Sequence, residues 1–300
     1  MLSRIAENVY WVGRYVERVD DTVRLVAAHY YGQLQIGASD EGLLPEDLLA
    51  ILGSLPPNGA STSMRRAVTR CVIDPDNRSS VASCLYAARE NARRSREVLP
   101  LELWETLSTA TRYLDGRGER QPDPEDLLRQ VPQWTRAFFG LVELAMPRGS
   151  AWTALRLGTL VERADMTLRV LILASDTVAG RPVDDPLTAH LWFTTLRACA
   201  ALDAFCASTP GFPTGSAVAQ VLLGDGSCPR SLLFCVRSVG ELVPGGAIGE
   251  QADQLARQLH AGVGGTLRER GSGELRELLD GCRELHQTIA TGYLRLAEAS

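Results

Sequence analysis

Residues 13–24 read GRYVERVDDTVR, and residues 158–169 read GTLVERADMTLR. The two stretches have seven of twelve positions in common: Gly, Val, Glu, Arg, Asp, Thr and Arg. Chance matching gives about one identity, so the repeat indicates an internal duplication. Apolar residues in and around the first stretch recur at three- and four-residue spacing, which is typical of an amphipathic helix. The repeat therefore predicts two related helices.

The same helical spacing extends along most of the 300-residue chain, and no sustained alternation of apolar and polar residues indicates a strand. Asp123–Pro124 and Asp185–Pro186 are typical helix starts, because an acceptor side chain precedes a proline in the first turn. The sequence predicts an all-α fold, a multi-helix bundle. The predicted helices cover residues 2–31, 80–99, 101–114, 124–146, 151–178, 186–206, 231–242, 248–270 and 274–298. The predicted loops cover residues 37–60, 116–123, 180–185, 210–215 and 244–249.

A second pair of segments repeats at a similar offset. Residues 72–85 read VIDPDNRSSVASCL, and residues 223–236 read LGDGSCPRSLLFCV, so that an Asp, a Ser and a Cys align. No loop is long or biased enough to be a clean linker between domains. We therefore expect two related halves, residues 1–150 and 151–300, packed as one globular body.

The charged residues narrow the possible functions. The formal charge is 31 − 36 = −5, which argues against general binding to nucleic acid or to an anionic membrane surface. All 31 basic residues are arginine, because the chain contains no lysine. A P-loop lysine, a Schiff-base lysine and a lysine general base are thereby excluded. Arginine stays protonated, so it binds anions but is a poor proton shuttle.

Cysteine usage and hydropathy indicate where the chain functions. The seven cysteines include no CxxC pair, and no secretory signal precedes them, so disulfides and a zinc ribbon are not expected. No run of about 18 apolar residues is present. The sequence predicts a cytoplasmic protein with no membrane span. It also contains no GxSxG, GxGxxG or HExxH motif, so nothing supports a stand-alone hydrolase, dehydrogenase or zincin.

Each repeat carries a polar stripe. Its Gly, Glu, Asp and Arg fall at offsets 0, 4, 7 and 11, within a sector of roughly 60° on a helix. The stripes consist of Gly13, Glu17, Asp20 and Arg24, and of Gly158, Glu162, Asp165 and Arg169.

Two interpretations of the stripes remain open. On an exposed helix, each Asp and Arg would form an ordinary i,i+4 pair worth a few tenths of a kcal/mol. Alternatively, the duplicated glycine, which costs about 1 kcal/mol within a helix, indicates close approach by a backbone or ligand. The stripes would then face each other, and Arg18 and Arg163 would join one polar cluster. Such a cluster could be a structural ion-pair network, or a site for an anionic peptide or a nucleotide-activated intermediate.

The facing carboxylates could also suggest a metal site within a helix bundle. Di-iron bundles use Glu-x-x-His, and no histidine stands three residues after Glu or Asp in these helices. No metal is expected. The scattered histidines and the cysteines are best interpreted as packed core residues.

Two further segments, outside the polar stripes, contain arginines that are candidates for binding. Residues 87–97 read AARENARRSRE, which is either a solvated helix face or a docking patch for phosphate or an acidic peptide, with Arg89 and Asn91 as candidates. Arg230 lies in Pro229–Arg230–Ser231 at a predicted helix start, where Ser231 is placed near the cap.

With these motifs in view, the chain resembles the alpha-E domain family, helical proteins with a Glu-Arg motif, nearly end to end. The resemblance lies in residues 6–24 (AENVYWVGRYVERVDDTVR), 79–97 (SSVASCLYAARENARRSRE), 155–171 (LRLGTLVERADMTLRVL) and 228–236 (CPRSLLFCV). One departure is Cys228, where the family often has Asn before Pro-Arg-Ser.

The resemblance implies a function. Members of the family are typically encoded beside, or fused to, a circularly permuted ATP-grasp protein, and often near a transglutaminase-like protease. The expected role is an accessory or substrate-binding partner of an ATP-grasp amide or peptide ligase, acting on a peptide or small acidic substrate and carrying no cofactor of its own. The substrate-binding candidates are Arg18, Asp20, Arg24, Arg163, Asp165, Arg169, Arg89, Asn91 and Arg230. The alternative is an enzyme in its own right, with Glu17 or Glu162 as general base.

Overall fold

The computed structural model of the chain describes residues 1–36, 44–55, 62–116, 123–182, 185–262 and 272–296. The helices are α1 (Ser3–Ile36), α2 (Pro45–Ile51), α3 (Met64–Val72), α4 (Val81–Arg94), α5 (Leu101–Leu114), α6 (Pro124–Ala145), α7 (Ser150–Val178), α8 (Pro186–Ala198), α9 (Leu202–Ser208), α10 (Gly215–Ala219), α11 (Leu232–Leu242), α12 (Gly246–Gly262), α13 (Gly273–Thr291) and α14 (Tyr293–Leu296), with a π-helical turn at Gln220–Gly224. Within these ranges no strand is present, so the predicted all-α class is confirmed.

Helices α1 and α7 form the centre of the molecule. Helix α1 packs against α7, α4, α8 and α6, while α7 also contacts α11 and α13. In α7, every residue from 157 to 168 is buried. A helix enclosed on all sides cannot leave charged side chains unpaired, because a buried charge without a partner costs several kcal/mol. The charges in α7 therefore require partners on the neighbouring helices.

Side-chain caps fix several helix starts where the sequence predicts them. Asp123 accepts a hydrogen bond from the amide of Glu125 (3.0 Å) at the start of α6, and Asp185 accepts one from Leu187 (3.1 Å) at the start of α8. In each case the proline follows directly, in the first helical position. Capping an otherwise unpaired amide in this way contributes about 1 kcal/mol.

The segments that repeat at residues 72–85 and 223–236 have matching local structure. Ser80 caps α4 and Ser231 caps α11, each accepting from the amide three residues later. Before each serine, an aspartate, Asp74 or Asp225, accepts a hydrogen bond from the amide two residues along. The predicted position of Ser231 at a helix cap is confirmed. The division into halves at residue 150 stays a prediction.

Four predicted boundaries are wrong. The helix expected over 80–99 ends at Arg94, and the loop expected over 244–249 is cut short because α12 begins at Gly246. Residues 45–51 were expected to lie in a loop, but they form α2, whose first turn carries Pro45 with Glu46 and Asp47. The helix expected over 186–206 ends at Ala198, and α9 begins at Leu202. Between them Ala200 has a φ of 49°, a left-handed conformation that ends the first helix.

Parts of other predicted elements lie outside the described residues. They are residues 263–270 and 297–298 of two predicted helices, and residues 37–43, 56–60, 117–122 and 183–184 of predicted loops. Among the helices that can be assessed, none is both long and apolar enough to cross a lipid bilayer.

Candidate functional site

The two repeated glycines lie where α1 and α7 touch. A Cβ atom added at Gly13 would overlap the carbonyl oxygen of Leu155 and stand 3.1 Å from the amide nitrogen of Thr159. One added at Gly158 would overlap the carbonyl oxygen of Tyr10. Only glycine allows the two backbones to approach this closely. The close approach by a backbone that the duplicated glycine indicates is therefore present.

Next to this crossing, the Glu-Arg pairs of the two helices exchange partners. Arg163 on α7 donates to both carboxylate oxygens of Glu17 on α1, at 2.7 and 3.0 Å. Arg18 on α1 donates to both oxygens of Glu162 on α7, at 2.6 and 3.0 Å. Each glutamate is thus held by the arginine that follows the other glutamate. We call these four residues the Glu-Arg core.

Additional arginines complete the pairing of both glutamates. Arg230, in the turn before α11, donates to Glu17 at 2.5 Å. Arg14, one helical turn before Arg18, donates to Glu162 at 2.5 Å. Each glutamate therefore has two arginine partners, and neither has any solvent-exposed surface.

Burial and pairing act in opposite directions on these carboxylates. Burial raises the pKa of Glu17, but Arg163 and Arg230 outweigh it and hold the pKa at about 2. Burial likewise raises the pKa of Glu162, and Arg14 and Arg18 again hold it at about 2. Both groups are therefore ionised at neutral pH, with arginine hydrogen bonds on both oxygens of each.

The aspartates of the two stripes lie at the edge of the core. Asp20 accepts from Arg24 (2.7 Å), Arg230 (3.0 Å) and the hydroxyl of Thr135 on α6 (2.7 Å). Asp165 accepts from Arg169 at 2.5 Å. The i,i+4 pairs expected from the sequence are both present. They lie on largely buried carboxylates, so the interpretation as an ordinary exposed helix face is excluded.

Comparison with known proteins matches this chain to a family. Residues 1–298 match a family model described as Alpha-E, a predicted alpha-helical domain with a conserved ER motif. The chain belongs to the Alpha-E family. Uncharacterized proteins of Mycobacterium bovis and of Mycobacterium tuberculosis H37Rv are each 23% identical over 331 residues. The alignments cover 99% of this chain but 36% of each relative, so the chain spans about a third of their length. No solved structure matches it.

The other candidates are distributed unevenly around the Glu-Arg core. Arg24 and Arg230 lie at the Glu17 end, while Arg169 pairs with Asp165 and also donates to the carbonyl oxygen of Ile51 at 3.2 Å. In contrast, Arg89 donates to Ser108 on α5 at 3.3 Å, and Asn91 is half-buried on α4. Within the described residues neither Arg89 nor Asn91 has an ion pair or hydrogen bond to the core, so the second arginine patch is separate from it.

Three groups at the Glu-Arg core were not predicted from the sequence. Arg14 is absent from the second repeat, where Thr159 takes its place, although its position four residues before Arg18 puts it on the same face. Asp21 likewise has no counterpart, because Met166 stands there. The remaining one is His286 on α13, which no local motif marks.

Asp21 differs from the other carboxylates of the core. It pairs with Arg24 and with Arg230 (2.9 Å) through one oxygen, while its other oxygen is buried with no hydrogen-bond partner. Burial, together with the neighbouring Glu17 charge, raises its pKa to about 7. Asp21 therefore titrates near neutral pH, unlike Glu17.

Groups that could carry other chemistry lie elsewhere or are inert. Within the described ranges no three His, Cys, Asp or Glu side chains are grouped to hold a metal ion. Burial raises the pKa of Cys84, Cys199 and Cys235, which border the core, to about 12, so these thiols stay protonated. A cavity of about 530 Å³ beside α12 and α13 is lined by apolar and small residues, among them Val243, Ile248 and Tyr293.

Proposed function

We propose that this Alpha-E chain is an accessory, substrate-binding partner of an ATP-grasp amide or peptide ligase that modifies peptides or small metabolites. The observation that carries the proposal is the state of Glu17 and Glu162. Both are completely buried, and arginines occupy both of their oxygens. The family resemblance is the reason for proposing an ATP-grasp protein as the partner, and a transglutaminase-like protease is a second candidate.

The geometry argues against Glu17 or Glu162 as a general base. A carboxylate base works best with a pKa near the operating pH and must reach the proton that it removes. A pKa of about 2 and no exposed surface meet neither condition. The Glu-Arg core is better suited to hold α1 and α7 in one fixed arrangement, on which neighbouring side chains bind a substrate.

The length of the relatives supports a role in which this region acts together with other protein domains. The matching region occupies 36% of the mycobacterial relatives, so in those proteins it is part of a much longer polypeptide. A region that positions a substrate for chemistry performed elsewhere needs no catalytic motif of its own. This agrees with a chain that has no lysine and none of the common nucleophile motifs.

Co-purification with a circularly permuted ATP-grasp protein of the same organism tests the proposal. We expect a stable complex, a higher rate of ATP hydrolysis by the complex than by the ATP-grasp protein alone, and no turnover by this chain alone. If the two proteins do not associate and ATP hydrolysis is unchanged, the partnership is wrong. Turnover by the isolated chain would favour the alternative, an enzyme in its own right.

The variant Glu162→Gln separates a structural role from a catalytic one. We expect it to lose stability together with complex formation, because it leaves Arg14 and Arg18 without their carboxylate. Glu143→Gln is the control, since Glu143 is an exposed carboxylate that also has two arginine partners, Arg148 at 2.8 Å and Arg156 at 3.7 Å. A Glu162→Gln chain that stays as stable as this control but loses activity would instead support a catalytic glutamate.

A further inference from the structure

His286 lies against the Glu-Arg core through two aromatic residues of α1. Its ring stacks on Tyr10, with centroids 5.8 Å apart and planes 9° from parallel. The edge of the same imidazole meets Trp11, with centroids 5.9 Å apart. The side chain is half-buried, so one part of the ring faces the core and another can reach solvent.

The hydrogen bonds around Tyr10 determine where the proton on this imidazole lies. The Tyr10 hydroxyl is 2.8 Å from Nδ1 of His286 and is completely buried. Among the described residues, Nδ1 is the acceptor available to this buried hydroxyl, and the neighbouring Arg14 can only donate, so Tyr10 gives its hydrogen to Nδ1. A neutral imidazole that accepts at Nδ1 carries its hydrogen on Nε2. Tyr10 thus contacts His286 on one side and has Arg14, which donates to Glu162, on the other.

Burial is the main reason that the His286 ring is neutral. Burial and the neighbouring Arg14 lower its pKa to about 4, while Glu162 and Asp165 act in the opposite direction and Arg18 adds to the lowering. At neutral pH the ring is therefore neutral, and with Nδ1 accepting from Tyr10 it presents an N–H donor at Nε2.

The surface of α1 beside His286 is half-exposed. Trp11, Tyr15 and Arg18 stand at positions i, i+4 and i+7 of α1, on one side of the helix, and each is half-buried. Trp11 and Tyr15 contact each other, with centroids 5.4 Å apart. We call these three residues and His286 the His286 face. Nε2 has no hydrogen-bond partner among the described residues.

The charge behind this face is positive. Arg14, Arg18 and Arg169 stand against the two carboxylates Glu162 and Asp165, which leaves one positive charge without a matching carboxylate. The Arg18 side chain retains 25% of its exposure. A donor of fixed direction beside an excess guanidinium charge is an arrangement that binds an oxyanion.

We propose that the His286 face is a binding site for an oxyanion, a carboxylate or a phosphate group, which accepts a hydrogen bond from Nε2 of His286 and is attracted by Arg18. Trp11 and Tyr15 would contact the apolar part of the same ligand. This inference rests on the proposed function for the source of the ligand, whereas the binding itself is measurable on the chain alone.

The proton position is tested by NMR of the histidine rings in the ¹⁵N-labelled full chain. We expect His286 to be neutral at pH 7 with its hydrogen on Nε2. Tyr10→Phe is expected to abolish the preference for this tautomer, because Nδ1 loses its donor. A charged ring at pH 7, or a hydrogen on Nδ1 in the unaltered chain, would overturn the inference.

Binding is tested by titrating succinate and inorganic phosphate separately, at constant ionic strength. We expect a saturable shift of the His286 ring and Trp11 indole resonances with at least one of them, and the effective anion distinguishes a carboxylate from a phosphate ligand. The Trp11 indole resonance reports binding in the variants that lack His286. His286→Leu is expected to weaken binding about tenfold, the loss for one hydrogen bond to a charged acceptor, and His286→Gln to restore most of it. Absence of a saturable shift with both anions would overturn the inference.

The control is His260→Leu, because His260 also contacts an arginine, Arg237, but is exposed on α12. We expect unchanged anion binding in this variant, and an equal loss in both variants would contradict a specific site. Anion binding without association with the ATP-grasp protein would contradict the proposed function but support the anion site. Association with the ATP-grasp protein without anion binding would support the proposed function but contradict the anion site.

Discussion

Glu17 and Glu162 occupy matching positions in the two longest helices, but their surroundings differ. At the Glu17 end, Arg230 reaches in from the turn before α11 and joins Glu17 to Asp20 and Asp21. At the Glu162 end, both arginines come from α1, and Arg18 is a quarter exposed. One end is therefore closed by a third segment of the chain, while the other leads to the His286 face. Nearly the same motif thus supports a buried structural cluster on one side and an accessible surface on the other.

The crossing that the two ends have in common is expected to be the most sensitive point. Gly158→Ala adds a methyl group that overlaps the carbonyl of Tyr10, so the helices must separate and weaken the Glu-Arg pairs. We expect a loss of more than about 5 kcal/mol in the free energy of unfolding, measured with urea. The control is Gly140→Ala in α6, where a Cβ meets nothing within 4 Å. It is expected to gain about 0.5–1 kcal/mol, and equal behaviour of the two variants would show that the close crossing is unimportant.

Replacement of each glutamate compares the two ends directly. Glu17→Gln leaves Arg163 and Arg230 buried without a carboxylate between them, and we expect a loss near the upper end of about 3–5 kcal/mol. Glu162→Gln is expected to fall near the lower end, because Arg18 can turn toward water. Chemical denaturation of both variants measures the difference. Equal losses would mean that the partial exposure of Arg18 has no energetic consequence.

The aspartates extend the comparison to smaller effects. Asp20→Asn weakens interactions with Arg24, Arg230 and Thr135, and we expect a loss of about 3 kcal/mol. Asp165→Asn weakens one pair, with a partly exposed Arg169, and we expect about 1.5 kcal/mol. Thermal and urea unfolding check both values. A larger loss in Asp165→Asn would reverse the assignment of the more tightly closed end.

The pH dependence of the free energy of unfolding is a further way to compare the Glu17 end with the Glu162 end, because Asp21 is present only at the Glu17 end. The pKa of Asp21 is raised to about 7 in the folded chain, above its value when unfolded, so the folded state binds the extra proton between roughly pH 4 and 7. The free energy of unfolding should therefore fall as pH rises through this range, by up to about 1.4 kcal/mol per pH unit. Asp21→Asn is expected to remove this slope. The pKa values of Glu17 and Glu162 are lowered, so these groups act in the opposite direction. Their contribution to stability is lost only as pH falls below about 4.

The sequence predicted the parts of this molecule that depend on local pattern. The repeat placed Glu17 and Glu162 on matching faces, and the glycines indicated the close contact of the helices. Helix α2 could also have been predicted, because Pro45 in the first position and two acidic residues after it are start signals. The expected loop instead followed from the glycines and prolines around it.

The rest depends on tertiary contacts. Ala200 ends a helix although alanine is the best helix former, so no local signal marks the break. Arg230 reaches Glu17 from more than two hundred residues away in sequence, and His286 reaches Tyr10 from a still greater distance. Such pairings are set by how α11 and α13 pack on the central helices.

The backbone contact between α1 and α7 also limits how the protein can change in length. One residue inserted between Gly13 and Glu17 would turn the glutamate by about 100° away from Arg163. The stretches 13–24 and 158–169 can therefore change residues but not spacing. The alignment with the mycobacterial relatives covers 331 positions, more than the 300 residues of this chain, and so contains insertions. We expect those insertions to lie outside the two stretches, in the connections between helices.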